Sequence, residues 1–257
     1  VRLAMHQVAI FGAGRIGSIH ATNVAANLRC NLAAIADPDA TAASRLANLH
    51  DTEVRDTESI FNDREIDLVL IASATDTHAD LIERAAHAGK HIFCEKPVDL
   101  SIQRVKDCLA AVDAGGVQLM IGFNRRYDPD FAALQQRLCA GEIGELELLT
   151  IISKDPKPPS LDYIRTSGGL FRDMTIHDLD MARFLLKEEP VVVSATGSCL
   201  IDPEIGSHGD IDTAVVNLRC ASGKIAVIFN SRRAQYGYDQ RIEAHGSRGM
   251  LNAGNRL

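Results

Sequence analysis

Short, nearly all-apolar runs alternate with amphipathic stretches through the first half of this chain, and that alternation leaves few architectures open. The apolar runs fall at residues 7–11, 32–36, 68–72, 91–94 and 118–122. Strands that are covered by helices on both faces read this way, because neither face meets water. The stretches between them, 16–28, 40–49, 79–88 and 102–114, carry helical patterns. Strand–helix alternation of this length predicts right-handed βαβ units and a doubly wound parallel sheet. The pattern changes after about residue 123. Helices are expected over 129–140, stopped by Gly141, and from about 173 to 186, ended by Pro190. Strands are expected over 146–153, 191–200, 213–220, 224–231 and 240–244, with Ala221-Ser222-Gly223 as a hairpin turn. The second half therefore reads as α+β with an open, largely antiparallel sheet. The expected division is 1–123 and 124–257.

The turn after the first apolar run is Gly12-Ala13-Gly14-Arg15-Ile16-Gly17. A bare GxGxxG is weak, but here it follows a strand and opens a helix, as in dinucleotide-binding domains. The first glycine permits a tight turn, the second admits a pyrophosphate to the backbone, and the third lets helix and strand pack closely. Helix N-terminal amides then face the phosphates. Asp37 ends the second run twenty residues past Gly17. A carboxylate there accepts hydrogen bonds from ribose hydroxyls and repels a 2′-phosphate, which favours NAD over NADP. As a turn or helix N-cap, the same Asp would also fit.

Glu95-Lys96-Pro97 follows the run 91–94, at the carboxyl end of a predicted strand, where open α/β sheets bind ligands. An ammonium there can stabilise developing alkoxide charge, although a strand-end lysine is also an ordinary surface residue. Asp173 and His177 are four residues apart on a predicted helix, hence on one face. An Asp beside a His orients the ring and raises its basicity, giving a general base near neutral pH. Asp180 is expected to share that face, with Asp178 directed elsewhere. Asn124-Arg125-Arg126-Tyr127 lies at the junction of the halves and offers donors for hydroxyls or phosphate, or simply a charged linker. Tyr236 and Tyr238 can face a sugar-like ring or pack in the core. No metal site is expected: Asp and His at this spacing lack a clear third ligand.

The formal net charge of −7 with no basic run argues against nucleic-acid binding and against a membrane-surface anchor. No apolar run approaches a membrane span in length, and residues 1–11 run into the glycine turn without a signal-peptide cleavage site. The six cysteines show no CxxC spacing and read as reduced thiols of a cytoplasmic protein.

Taken together, the glycine turn, Glu95-Lys96-Pro97, and Gly168-Gly169 followed by Asp173-xxx-His177 resemble the Gfo/Idh/MocA family of oxidoreductases. The stretches GFNRRYDPDF, SGGLFRDMTIHDLDMARFLL and AQYGYDQRIEAHGSRGM are most similar to its inositol 2-dehydrogenase branch. The resemblance runs over nearly the whole chain. It implies a Rossmann domain that binds NAD, a second domain for substrate binding and oligomerisation, and a homo-oligomer, dimer or tetramer. It implies catalytic roles for Lys96, Asp173 and His177 and polyol contacts for Arg126, Asp180 and Tyr236. Cofactor contacts are implied for Gly12, Gly14, Arg15, Ile16, Gly17, Asp37, Ser73, Thr75, His78 and Glu95. The implied reaction is oxidation of a secondary alcohol of a cyclic polyol, myo-inositol first, by hydride transfer to NAD. Other sugars or polyols, a non-catalytic NAD sensor, and C–O or C–N bond chemistry through transient oxidation are the alternatives. Family members run well past the position of Leu257, so the second domain is expected to be C-terminally incomplete. Phe171 and Arg172, which precede the Asp, are a second departure from the family pattern, one that bears on substrate choice.

Overall fold

Apolar side chains that alternate between two covered faces explain the first sheet. The computed structural model describes residues 5–255. The chain divides into two units, one ending at Gly122 and one starting at Phe123. The first contains β1 (His6–Phe11), α1 (Arg15–Ala26), β2 (Cys30–Ala36), α2 (Ala40–Leu49), β3 (Glu53–Val54), α3 (Thr57–Asn62), β4 (Leu68–Ile71), α4 (Thr75–His87), β5 (His91–Cys94), α5 (Ile102–Gly115) and β6 (Leu119–Ile121). All six strands are parallel, in the order β3-β2-β1-β4-β5-β6. Ala9, Phe11, Val69 and Ile71 face a layer with α3, α4 and α5, while Val8, Ile10 and Leu70 face α1 and α2. Neither β3 nor α3 is marked in the sequence pattern. β3 is two exposed residues at the sheet edge, too short for an apolar run.

Between β1 and β4 the strand order reverses, and the glycine turn emerges there. Gly12 has φ +107°, and a Cβ on it would lie 2.4 Å from the Ala72 carbonyl oxygen. A Cβ on Gly17 would lie 1.9 Å from the Gly12 carbonyl oxygen, while one on Gly14 would meet nothing within 4 Å. Two glycines thus let backbones approach and one leaves open space.

The second unit contains a 3₁₀ turn (Asn124–Tyr127), α6 (Pro129–Cys139), β7 (Leu146–Lys154), α7 (Leu161–Ser167), a π-helical turn (Phe171–Thr175), α8 (Ile176–Leu186), β8 (Pro190–Ser198), α9 (Pro203–Ser207), β9 (Thr213–Cys220), β10 (Ile225–Ser231), β11 (Asp239–Gly246) and β12 (Gly249–Gly254). Its six strands run β12-β11-β7-β10-β9-β8, antiparallel except for the β7–β10 pair. Asp128 caps α6, its carboxylate accepting from the Asp130 and Phe131 amides. Leu149, Ile151, Val216, Leu218, Ala226 and Ile228 alternate onto one sheet face, against Phe131 and Leu134 of α6 and Met181 and Leu185 of α8. The 221–223 turn joins β9 to β10 as its Gly223 (φ +97°) allows. α7, α9 and β12 had no counterpart in the sequence reading. α7 and α9 are seven and five residues long, below the window in which helical periodicity shows.

The close approach of α1 to the glycine turn is directly testable. Gly17→Ala is expected to lower stability by about 1–3 kcal/mol, the usual cost of overpacking. Gly14→Ala is expected to leave the melting temperature near that of the wild type. Calorimetry on both variants checks the contrast.

Candidate active site

In the first unit, the residues singled out by sequence sit at the carboxyl ends of β1, β2, β4 and β5. Asp37 Oδ2 accepts from the Ala13 amide at 2.6 Å, and Oδ1 accepts from the Asp39 amide at 2.8 Å. The carboxylate therefore laces the end of β2 to the glycine turn, while Asp39 caps α2. Gly14, at the N-cap of α1, has no side-chain cap, and Ala74 before α4 has none either. Arg15 is exposed and Ile16 half-buried. Ser73 Oγ pairs with Thr77 Oγ1 at 2.7 Å, and Thr75 opens α4.

His78 is buried, its ring nitrogens 2.8 Å from the Pro97 carbonyl oxygen and 3.1 Å from the Ser73 carbonyl oxygen. It fastens the β4 loop to the β5 loop. The Lys96–Pro97 peptide is cis. Glu95 Oε1 lies 2.8 Å from His20 Nε2 on α1, and the His20 ring stands edge-on to Phe93 at 5.1 Å. Glu95 is thus held by a partner that the sequence reading passed over, and half-buried Lys96 sits between two fastened neighbours.

An open space beside Gly14 and a helix start without a side-chain cap fit a dinucleotide phosphate. Asp37 at the end of β2 fits a ribose carrying free hydroxyls.

In the second unit, Gly168 (φ +82°) and Gly169 (φ +80°) reverse the chain after α7 and lead into the π-helical turn. Asp173 lies in that turn and His177 in the first turn of α8, so the four-residue spacing spans a π-to-α junction. Asp173 Oδ1 accepts from the Tyr163 hydroxyl at 2.8 Å, and Oδ2 lies 3.5 Å from Arg232 Nη1. The His177 ring stands edge-on to Phe123 at 6.4 Å.

Asp178 turns into the sheet, fully buried, and accepts from Arg125, from Ser153 Oγ at 2.5 Å and from Asn230 Nδ2 at 2.7 Å. Thr175 Oγ1 donates to Asn230 Oδ1 at 2.7 Å and extends the network. Asp180 is also buried. It receives a bidentate fork from Arg126, Nε to Oδ2 at 2.8 Å and Nη2 to Oδ1 at 2.5 Å, and the guanidinium lies 4.9 Å over the Phe184 ring. Arg126 and Asp180 therefore meet each other, while Asp173 engages Tyr163 and Arg232. Tyr236 is exposed, and its hydroxyl donates to Asp239 Oδ2 at 2.7 Å; the Arg241 guanidinium first, and that bond after it, hold the Asp239 carboxyl below its ordinary range.

Sequence reasoning missed Tyr163, Arg232, Asp210 and Asp155, because no spacing rule links them to Asp173. Burial pushes the Asp155 carboxyl up, the Arg232 guanidinium pulls it down, and the Asp173 carboxylate pushes it up again. Among the described residues, no group of three or more His, Cys, Asp or Glu side chains is arranged to hold a metal ion. No described helix is long and apolar enough to cross a membrane.

Comparison with known proteins gives matches over both units. Residues 6–123 match the oxidoreductase family with an NAD-binding Rossmann fold, and residues 131–252 match the GFO/IDH/MocA C-terminal domain. The chain is 56% identical over 247 residues to an inositol 2-dehydrogenase of Rhizobium meliloti, covering 96% of this chain and 75% of that protein. A crystal structure of a myo-inositol dehydrogenase from Corynebacterium glutamicum aligns with TM-score 0.94 at 49% identity, over 98% of this chain and 75% of that one. A scyllo-inositol dehydrogenase from Lactobacillus casei, solved with bound NAD(H) and scyllo-inositol, aligns with TM-score 0.89 at 29% identity, over 96% and 76%.

The raised Asp155 carboxyl gives a pH prediction. Its folded-state pKa lies above the unfolded value, so the folded protein holds the proton more tightly and loses stability as pH rises through the carboxylate range. Asp155→Asn is expected to raise the melting temperature at neutral pH and to leave it unchanged well below the carboxylate range. Thermal unfolding at the two pH values checks the sign.

Proposed function

Because this chain belongs to the GFO/IDH/MocA family of oxidoreductases, we propose that it oxidises a secondary hydroxyl of a cyclic polyol, myo-inositol first, to the ketone with NAD. The observation that carries this reading is the 56% identity to an inositol 2-dehydrogenase over 96% of the chain. The open Gly14 cradle and Asp37 at the end of β2 agree with NAD as the partner. When bound, NAD supplies the hydride acceptor, and the protein's task is to bind, orient and move one proton. Gly12, Gly14, Arg15, Ile16 and Gly17 form the phosphate turn, Asp37 takes the ribose, and Ser73 and Thr75 border the cofactor. His78 and Glu95 hold the loops around it.

His177 takes the proton of the reacting hydroxyl. Asp173, fixed by the Tyr163 hydroxyl, orients the ring and favours its charged form. The Lys96 ammonium stabilises alkoxide charge as the C–H bond breaks. Arg126, Asp180 and Tyr236 hold ring hydroxyls. The Arg126–Asp180 fork and the Tyr236–Asp239 bond preset these groups, so each keeps an unused lone pair or N–H for a hydroxyl. Scyllo-inositol is the second reading, favoured by the likeness to the Lactobacillus casei enzyme. NADH absorbance across a polyol panel separates the two.

The second sheet carries the assembly part of the proposal. Its outward face carries an apolar strip, where an exposed antiparallel sheet is ordinarily polar. Leu148 and Ile152 on β7 stand beside Ile225 and Phe229 on β10, with Val215 across from Phe229. Leu148, Ile225 and Phe229 are exposed. A second copy of the chain covers this face, giving a dimer that a further contact doubles to a tetramer. The six free thiols agree with a reducing, cytoplasmic setting.

Lys96→Met and His177→Gln are each expected to lower kcat by about 10²–10⁴-fold, the usual reach of acid–base catalysis, with NAD affinity little changed. Steady-state kinetics with a nucleotide titration checks both halves. Phe229→Glu is expected to break the sheet-face contact and at least halve the mass of the assembly, as read by light scattering on a sizing column.

A further inference from the structure

We propose that Arg232 is a positioning residue that aims the Asp173 carboxylate, and that its buried charge bears on the pH at which His177 takes up a proton. The proposal rests on the dehydrogenase reading above for its catalytic meaning.

Arg232 follows β10 directly and is fully buried, the foremost of the large enclosed side chains. Its backbone amide donates to the Asp212 carbonyl oxygen at 2.8 Å, which anchors the position of the chain. Nη1 lies 3.5 Å from Asp173 Oδ2, and Nη2 lies 3.6 Å from Asp210 Oδ2. Nε and Nη2 have no hydrogen-bond partner within the protein, and Asp210 Oδ2 has none either. The contrast with Arg126 is instructive: that guanidinium forks onto Asp180 at 2.5 and 2.8 Å. A buried arginine that spans two carboxylates at 3.5 Å and beyond acts through its charge more than through hydrogen bonds.

Asp210 is itself fixed. Its Oδ1 accepts from the Leu170 amide at 2.9 Å, just before the π-helical turn that carries Asp173. Gly169 makes room for it, since a Cβ there would lie 2.6 Å from Asp210 Oδ1. The guanidinium thus joins the entry of the turn to the carboxylate within it.

The charged groups around Asp173 come from several elements. Arg232 and Asp210 flank it, Asp155 after β7 adds a carboxyl, and Tyr163 of α7 donates its hydroxyl. Asp178 of α8 and Arg125 of the 3₁₀ turn offset each other as an ion pair, and His177 lies one turn on. Arg232 thus sets one buried positive charge against the Asp173 and Asp210 carboxylates and lowers the proton affinity of Asp155. Removing that charge makes neighbouring sites bind protons more tightly.

The test is an NMR titration of the His177 imidazole in the enzyme without added nucleotide, assigned by comparison with His177→Gln. It is run on the wild type, Arg232→Gln, Arg232→Lys and Asp210→Asn. Arg232→Gln is expected to raise the His177 midpoint by about one pH unit, the lower end of the effect of one nearby charge. Arg232→Lys keeps the charge and is expected to stay near the wild type. Asp210→Asn keeps the acceptor for the Leu170 amide but removes a competing carboxylate, and is expected to lower the midpoint. The acid limb of kcat/KM for the polyol is expected to move in the same directions. If Arg232→Gln does not fold, the Asp210→Asn shift decides: a fall supports the proposal and an unmoved midpoint overturns it. Midpoints unmoved in both folded variants also overturn it. Shifts of the expected sign in a protein that never reduces NAD with any polyol would leave Arg232's role standing and remove the dehydrogenase reading instead.

Discussion

Buried charge organises the second unit. Asp178 sits fully enclosed between Arg125, Ser153 and Asn230, and Arg232 is enclosed between Asp173 and Asp210. Such groups add little net stability, because removing them from water costs about what their attraction returns. Losing one partner is another matter, at roughly 3–5 kcal/mol for the charge left behind. The arrangement therefore works as a geometric constraint. It locks the π-helical turn and the start of α8 to β7 and β10, and so fixes where Asp173 and His177 stand.

The first unit obtains its geometry from backbone proximity. Gly12 and Gly17 bring the end of β1, the start of α1 and the Ala72 carbonyl within contact that a Cβ would forbid. Asp37 then ties the next strand end to the same turn through the Ala13 amide. The loops after β4 and β5 are fastened by imidazoles, His78 between two backbone carbonyls and His20 on Glu95. These strand ends are thus tied to neighbouring elements, and Lys96 lies between Glu95, which His20 engages, and Pro97, whose carbonyl His78 engages. Preset side chains lose little freedom when a ligand arrives, which is how a rigid scaffold converts binding into orientation.

The parallel sheet was legible because its strands are apolar throughout and its helices are long enough to show a period. What escaped was short or non-local. β3 is two residues and α9 five, below any periodic window. Asp173 and His177 could be paired from spacing, although the π-helical turn between them could not. Arg126 and Asp180 were each singled out as donors or acceptors for a ligand; that they grip each other depends on a fold bringing residues 54 apart into contact. Nothing in the sequence sets Arg232 apart from its neighbour Arg233, and only burial separates the two. His78 shows the same limit, since spacing could not reveal the two backbone carbonyls that its ring engages.

The most direct measurement of the central claim follows the hydride itself. Incubation of the protein with NAD and myo-inositol carrying deuterium on the reacting carbon is predicted to yield reduced nucleotide bearing that deuterium, with a slower rate than the unlabelled polyol. Reduced nucleotide without the label, or none at all from any cyclic polyol, would contradict the account.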